Sequence, residues 1–155
     1  MPMTDEFWYE DNALKTYAEG PVAVLKIKCN VFDTITDLAE SGKFISFFHK
    51  AERHKQIKAL MIINEGGCFN EDEYDRFLKR VMEDSNEPGI ERNETPMFEK
   101  AHRTRQINIL NRIILQLVDF KKISVVALQQ HVVTPFFGAS LAADFRYVSD
   151  DMVFS

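Results

Sequence analysis

The sequence is poor in cysteine, in long apolar runs and in blocks of one charge. Only Cys29 and Cys68 occur among 155 residues, and neither belongs to a C-x-x-C pair. That removes the usual zinc and dithiol redox motifs and fits a reducing compartment. No apolar run approaches membrane-spanning length, and the opening "MPMTDEFWYEDN" is acidic and polar, unlike a signal peptide. With 19 Lys and Arg against 24 Asp and Glu, the net charge is −5. No basic stripe follows a phosphate backbone, which argues against nucleic acid. No repeat or low-complexity tract is present. These absences leave a soluble cytoplasmic protein, with no metal, membrane or nucleic-acid partner expected.

What is present supports a core. The chain is 45% apolar and carries 13 phenylalanines, and its length suits one domain burying roughly two thirds of its unfolded surface. "VAVLKIK" (Val22–Lys28) follows Gly20 and Pro21 and alternates like a strand. In "DTITDLAESGKFISFFHKAERH" (Asp33–His54), Ile35, Leu38, Ile45, Phe48 and Ala51 fall near helical spacing, with Gly42 a weak point. "IKALMII" (Ile57–Ile63) is a nearly continuous apolar run, the pattern of a strand buried on both faces.

After the turn "NEGGC", the segment Glu71–Glu83 sets Tyr74, Phe77, Leu78 and Val81 on one face of a helix whose acidic first turn complements the helix dipole. "DSNEPGIERNETP" (Asp84–Pro96) reads as a mobile loop, too short for a domain linker. Met97–Phe120 reads as a long helix with a stripe at Ile107, Leu110, Ile113, Ile114 and Leu117. "ISVVAL" (Ile123–Leu128) is another buried strand, followed by a short helix of small residues (Gly138–Ala143), a strand "FRYV" and "MVFS", which begins one more. This alternation predicts an α/β fold on a largely parallel sheet.

The stretch "VALQQHVVTPFFGASLAADFRYV" carries most of the functional information. A buried strand runs into a turn and a small-residue helix that ends at Asp144. Together with "LMIINEGGCFNEDEYDRF", it resembles the crotonase superfamily, the enoyl-CoA hydratase/isomerase family. The likeness spans nearly the whole chain from Val22. Order and spacing carry it, most persuasively the Asp144 register and the closing "MVF", with Gln130 at the family's usual glycine. The resemblance implies a spiral of strand–strand–helix turns. It also implies that the whole chain, 1–155, is a single crotonase-like domain lacking the C-terminal helical part of the fold.

The family binds the oxygen of an acyl-CoA thioester through two backbone N–H groups and stabilises the enolate formed on loss or shift of an alpha proton. Such preorganised donors contribute a few kcal/mol each, on the order of 3. By position, the resemblance places the first donor at Glu71 and the second at Pro135 or, with the register shifted, Phe136. Proline has no N–H to give. The first of the two hydratase carboxylates falls at Gly138, which has no side chain, so a standard hydratase is disfavoured. Cys29, Val31, Phe69, Phe136 and Phe137 fall at substrate-binding positions. Coenzyme A enters as part of the substrate, with no separate cofactor.

Relatives form trimers or pairs of trimers, so a homo-oligomer is expected. Asp144 is expected to anchor the small helix, His131 to be structural, and His49, His54 and His102 to lie on helix surfaces. The functional expectation is enolate chemistry on an acyl-CoA, with this chain alone inactive. The alternatives are a non-catalytic crotonase-like binding or assembly subunit and an unrelated α/β fold.

Overall fold

A computed structural model describes residues 6–29, 38–84, 111–133 and 140–154. Among these residues, the main sheet has six strands, hydrogen-bonded in the order Tyr9–Glu10, Leu14–Glu19, Val22–Ile27, Ala59–Asn64, Ile123–Leu128 and Phe145–Val148. The antiparallel part comprises β1 (Tyr9–Glu10), β2 (Leu14–Glu19) and β3 (Val22–Ile27). Pairing of Glu19 with Val22 leaves the two-residue turn Gly20–Pro21, and Gly20 takes the left-handed φ of 54° that glycine supplies without Cβ strain. In β2, Leu14, Thr16 and Ala18 face the core. The buried Thr16 hydroxyl donates to the Phe7 carbonyl at 2.7 Å.

From β3 onward the pairing is parallel, through β4 (Ala59–Asn64), β5 (Ile123–Leu128) and β7 (Phe145–Val148). Rather than being buried on both faces, β4 alternates buried and half-buried positions. Helix α1 (Leu38–Arg53) continues through Gly42 and buries Phe44, Ile45, Phe47, Phe48 and Ala51. Its C-terminal carbonyls are met by a cation, as orphan carbonyls favour: Lys122 Nζ donates to the Ala51 and His54 carbonyls at 2.8 Å each. His54, expected on a helix surface, is half-buried just past the end of α1, its ring meeting Phe7 edge-on at 5.3 Å. Helix α2 spans Glu71–Asp84, and residues 111–118 are helical, burying Ile113 and Leu117. A second, two-stranded sheet pairs β6 (His131–Val132) with β8 (Val153–Phe154) in parallel. The expected mobile loop lies outside the described residues after Asp84, as do His102 and the first part of the expected long helix.

Candidate functional site: two turns at the carboxyl ends of β4 and β5

Parallel strands deliver their following loops to one edge of the sheet, where open α/β folds place ligands. Here β4 ends at Asn64 and β5 at Leu128, and their loops are bound to each other. Asn64, buried at the strand end, donates from Nδ2 to the Gln129 carbonyl at 2.9 Å and accepts from the Gln129 N–H at 2.8 Å. Gln129 Nε2 returns a bond to the Asn64 carbonyl at 3.1 Å. A buried amide with these partners satisfies both itself and the backbone it faces.

Further along the two loops, Gly66 packs under Gln130. A Cβ on Gly66 would lie 2.6 Å from Gln130 Oε1, the end of a flexible side chain. Gln130 itself has φ 58°, in the left-handed region. The residue that stands at the expected glycine position therefore takes a glycine-like backbone conformation. Gly67, at φ 76°, completes the first turn.

Phe69 then forms an isolated parallel bridge with Val132, and the Val133 N–H donates to the Phe69 carbonyl at 3.0 Å. At 1% exposure, the Phe69 side chain lies in the core.

Asn70 caps α2. Its Oδ1 accepts from the Glu73 N–H at 3.0 Å, its carbonyl accepts from the Tyr74 N–H at 3.2 Å, and its Nδ2 donates to the Gly67 carbonyl at 3.2 Å. Glu71 is thus the first residue of the helix, and its N–H has no acceptor among the described residues. Glu71 and Asp72 are exposed, and Glu73 pairs with Arg76. Asp144 holds the start of β5: its Oδ2 accepts from both the Ser124 N–H and the Ser124 hydroxyl at 2.8 Å. Those bonds hold its carboxyl below the usual range. His131 is half-buried and pairs with Val153 in the small sheet.

Two cysteines complete this edge. Cys29, just after β3, and Cys68, between β4 and α2, form a disulfide with an S–S distance of 2.00 Å and a Cα–Cα distance of 4.3 Å. This corrects the expectation of two separate thiols, and with it the reason for inferring a reducing compartment. Neighbouring parallel strands bring the two loops together across a sequence separation of 39. The two sulfurs and the Glu65 carboxylate lie within 4.8 Å of one another. Sulfurs bonded to each other are not thiolate ligands, so this is not a metal site in the disulfide form.

Thr134, Pro135, Phe136, Phe137 and Gly138 lie outside the described residues, as does Val31. Two cavities lie elsewhere. One, of about 1120 Å³, lies by the amino ends of β4 and β5 and is lined by Ile57, Lys58, Lys122, Ile123, Asp144 and Phe145 among others. Another, of 330 Å³, lies between the first strands and α1, by Phe7, Trp8, Lys43 and Phe47. Neither coincides with the two braced turns. The chemistry of donor groups, rather than cavity size, singles out the carboxyl edge. Among the described residues no helix is long and apolar enough to cross a membrane.

No protein-family model matches the sequence, and no curated protein matches it significantly. Solved structures do match the fold. An enoyl-CoA hydratase/isomerase from Marinobacter aquaeolei is 18% identical, the match covering 93% of this chain and 51% of that one at a TM-score of 0.63. An enoyl-CoA hydratase from Polaromonas is 20% identical, with 92% and 50% covered at 0.69. An enoyl-CoA hydratase from Bacillus halodurans is 10% identical, with 91% and 51% covered at 0.65. The chain spans about half the length of the solved structures it matches. At these identities the likeness establishes a crotonase-type α/β fold.

Proposed function

We propose that the protein is part of an acyl-CoA enzyme, in which the braced turns after β4 and β5 receive the thioester oxygen and the reaction passes through an enolate. The observation that supports this most is the Glu71 N–H, set at the start of α2 by the Asn70 cap, in a fold also found in enoyl-CoA hydratase structures. A donor fixed before reaction needs no reorganisation as charge develops on the oxygen. In the proposed step a base removes the proton alpha to the carbonyl. The C–H electron pair becomes the new C–C π bond, the carbonyl π pair moves to oxygen, and the Glu71 N–H donates to that oxygen. The second donor is proposed at Phe136, since Pro135 has no N–H. Phe136, Phe137 and Val31 are proposed to meet the acyl or pantetheine chain.

Coenzyme A is proposed to enter only as part of the substrate. The proposed working form is a homo-oligomer, a trimer or hexamer, in which further polypeptide covers the apolar β7 and β8 surface. A non-catalytic crotonase-like binding or assembly subunit is the second reading, favoured by Pro135 at a donor position and Gly138 at a carboxylate position. Incubating the complete polypeptide with a series of 2-enoyl and 3-enoyl thioesters of CoA separates the two. Hydration or double-bond shift supports the enzyme; saturable binding without turnover supports a binding subunit; neither binding nor turnover rejects the enzyme and leaves only an assembly role.

A further inference from the structure

From the setting of the Cys29–Cys68 bond, we propose that it is a thiol–disulfide exchange site whose attacking partner is a low-molecular-weight thiol. The two cysteines are unequally exposed. Cys29 is exposed at the end of its strand, whereas Cys68 is 2% exposed and held in the core cluster beside Phe69. Access selects which sulfur a small thiolate attacks, and exposed disulfides are the labile ones. Attack therefore falls on Cys29 Sγ. The new bond joins the incoming sulfur to Cys29 as the Cys29–Cys68 bond breaks. The electron pair leaves on Cys68 Sγ, which takes a proton from solvent. One disulfide is exchanged for another, so no further oxidant or reductant is required.

The surroundings also suit the product. Glu65 divides its oxygens: Oε1 pairs with Lys26 at 3.2 Å, while Oε2 lies 3.8 Å from Cys68 Sγ. In the closed form that sulfur has no proton, and the contact is only a close approach. Once released, the Cys68 thiol has Oε2 as its acceptor, and the carboxylate disfavours the thiolate that would attack back. Exchange unlinks the segment after β3 from the loop that leads to Glu71. The far side of that loop stays anchored through Gly66, Phe69 and their partners on the β5 loop. The site is thus a releasable tie at the edge of the proposed acyl-CoA pocket. Coenzyme A, itself a thiol, is the attacking molecule which that reading favours; the exchange chemistry alone is equally open to glutathione.

The native disulfide-bonded protein is incubated with millimolar reduced glutathione or coenzyme A, quenched with N-ethylmaleimide and mapped by peptide mass spectrometry. The expected product carries one small thiol on Cys29 and one maleimide on Cys68. Absence of any adduct until the protein is denatured, or an adduct on Cys68 instead, overturns the exchange site. Exchange at least ten times faster with coenzyme A ties it to the acyl-CoA reading. Equal rates keep the exchange site and overturn that tie. Glu65→Gln is expected to shift the end point several-fold back towards the closed disulfide; an unchanged end point overturns the role given to the carboxylate.

Discussion

The two flanks of the main sheet are built to different ends. On the β1–β3 side, Phe7, Leu14, Phe44 and Phe48 are each no more than 2% exposed. Asp11 also ties the hairpin to α1, accepting from the Ala13 and Leu14 N–H groups at 2.8 and 2.9 Å and pairing with Lys43 at 2.9 Å. On the other side, Phe145, Tyr147, Val148, Val153 and Phe154 are each 46–63% exposed. The first flank packs most of its large apolar side chains, with Trp8 and Tyr9 left exposed, whereas β7 and β8 leave theirs exposed. Exposed apolar side chains grouped on one side are suited to binding further protein. The braced turns lie between the two flanks.

The sharpest way to break this contrast is to truncate one aromatic on each side. Phe48→Ala, at a fully packed position, should lower unfolding stability by about 3–5 kcal/mol. Tyr147→Ala should change it by less than about 0.5 kcal/mol while reducing self-association. Urea denaturation and sedimentation of the two variants check both halves. Equal losses of stability would mean that the β7 face is already packed.

Between the flanks, Asn64→Ala should cost about 2 kcal/mol, because it strands the Gln129 N–H and carbonyl that Asn64 now satisfies. Hydrogen exchange at Gln129 and Gln130 should accelerate well above that in β2. A uniform change across the sheet would mean that the brace is not local.

On the β1–β3 side, burial alone would raise the Asp11 carboxyl, but bonds from the Leu14 N–H, Lys43, the Ala13 N–H and Tyr9 outweigh it and hold it at about 2, against an ordinary 3.8. A carboxyl lowered on folding contributes stability that is fully present above the unfolded value and is lost as pH falls through the folded one. About 2 kcal/mol is therefore expected to disappear as the pH falls from 3.8 to about 2. Asp11→Asn should remove that portion of the acid transition, and an unchanged acid profile would show that the hairpin is not held by this charge.

The smallest effect is expected at Gln130→Gly. Relief of the left-handed backbone should favour the folded state by up to about 1 kcal/mol, partly offset by a more flexible unfolded chain. A thermal melt that shifts downward would show that the Gln130 side chain matters more than its φ.

Much of this fold was legible where apolar runs are long. Strands β3, β4, β5 and β7 and helix α2 fall close to the segments that periodicity marked. Strand β2 was not, because its inward positions include Thr16 and Ala18, which dilute the alternation around Leu14. Gln130 was placed by position alone, and its left-handed backbone agrees with the glycine it replaces. Phe69 was placed at a substrate-binding position by resemblance, and backbone pairing with Val132 sets its side chain in the core. The disulfide was not legible, since only the adjacency of β3 and β4 brings Cys29 to Cys68. Asn64 gave one faint signal, a lone amide closing the apolar run "LMII".

The most direct measurement follows the Glu71 amide by nitrogen-15 NMR while the protein is titrated with a saturated acyl-CoA thioester. The account predicts a saturable shift at Glu71, with smaller shifts at Gly66 and Gln130, and a weaker response to coenzyme A without an acyl group. A Glu71 amide that does not move, whether the ligand binds elsewhere or not at all, contradicts it.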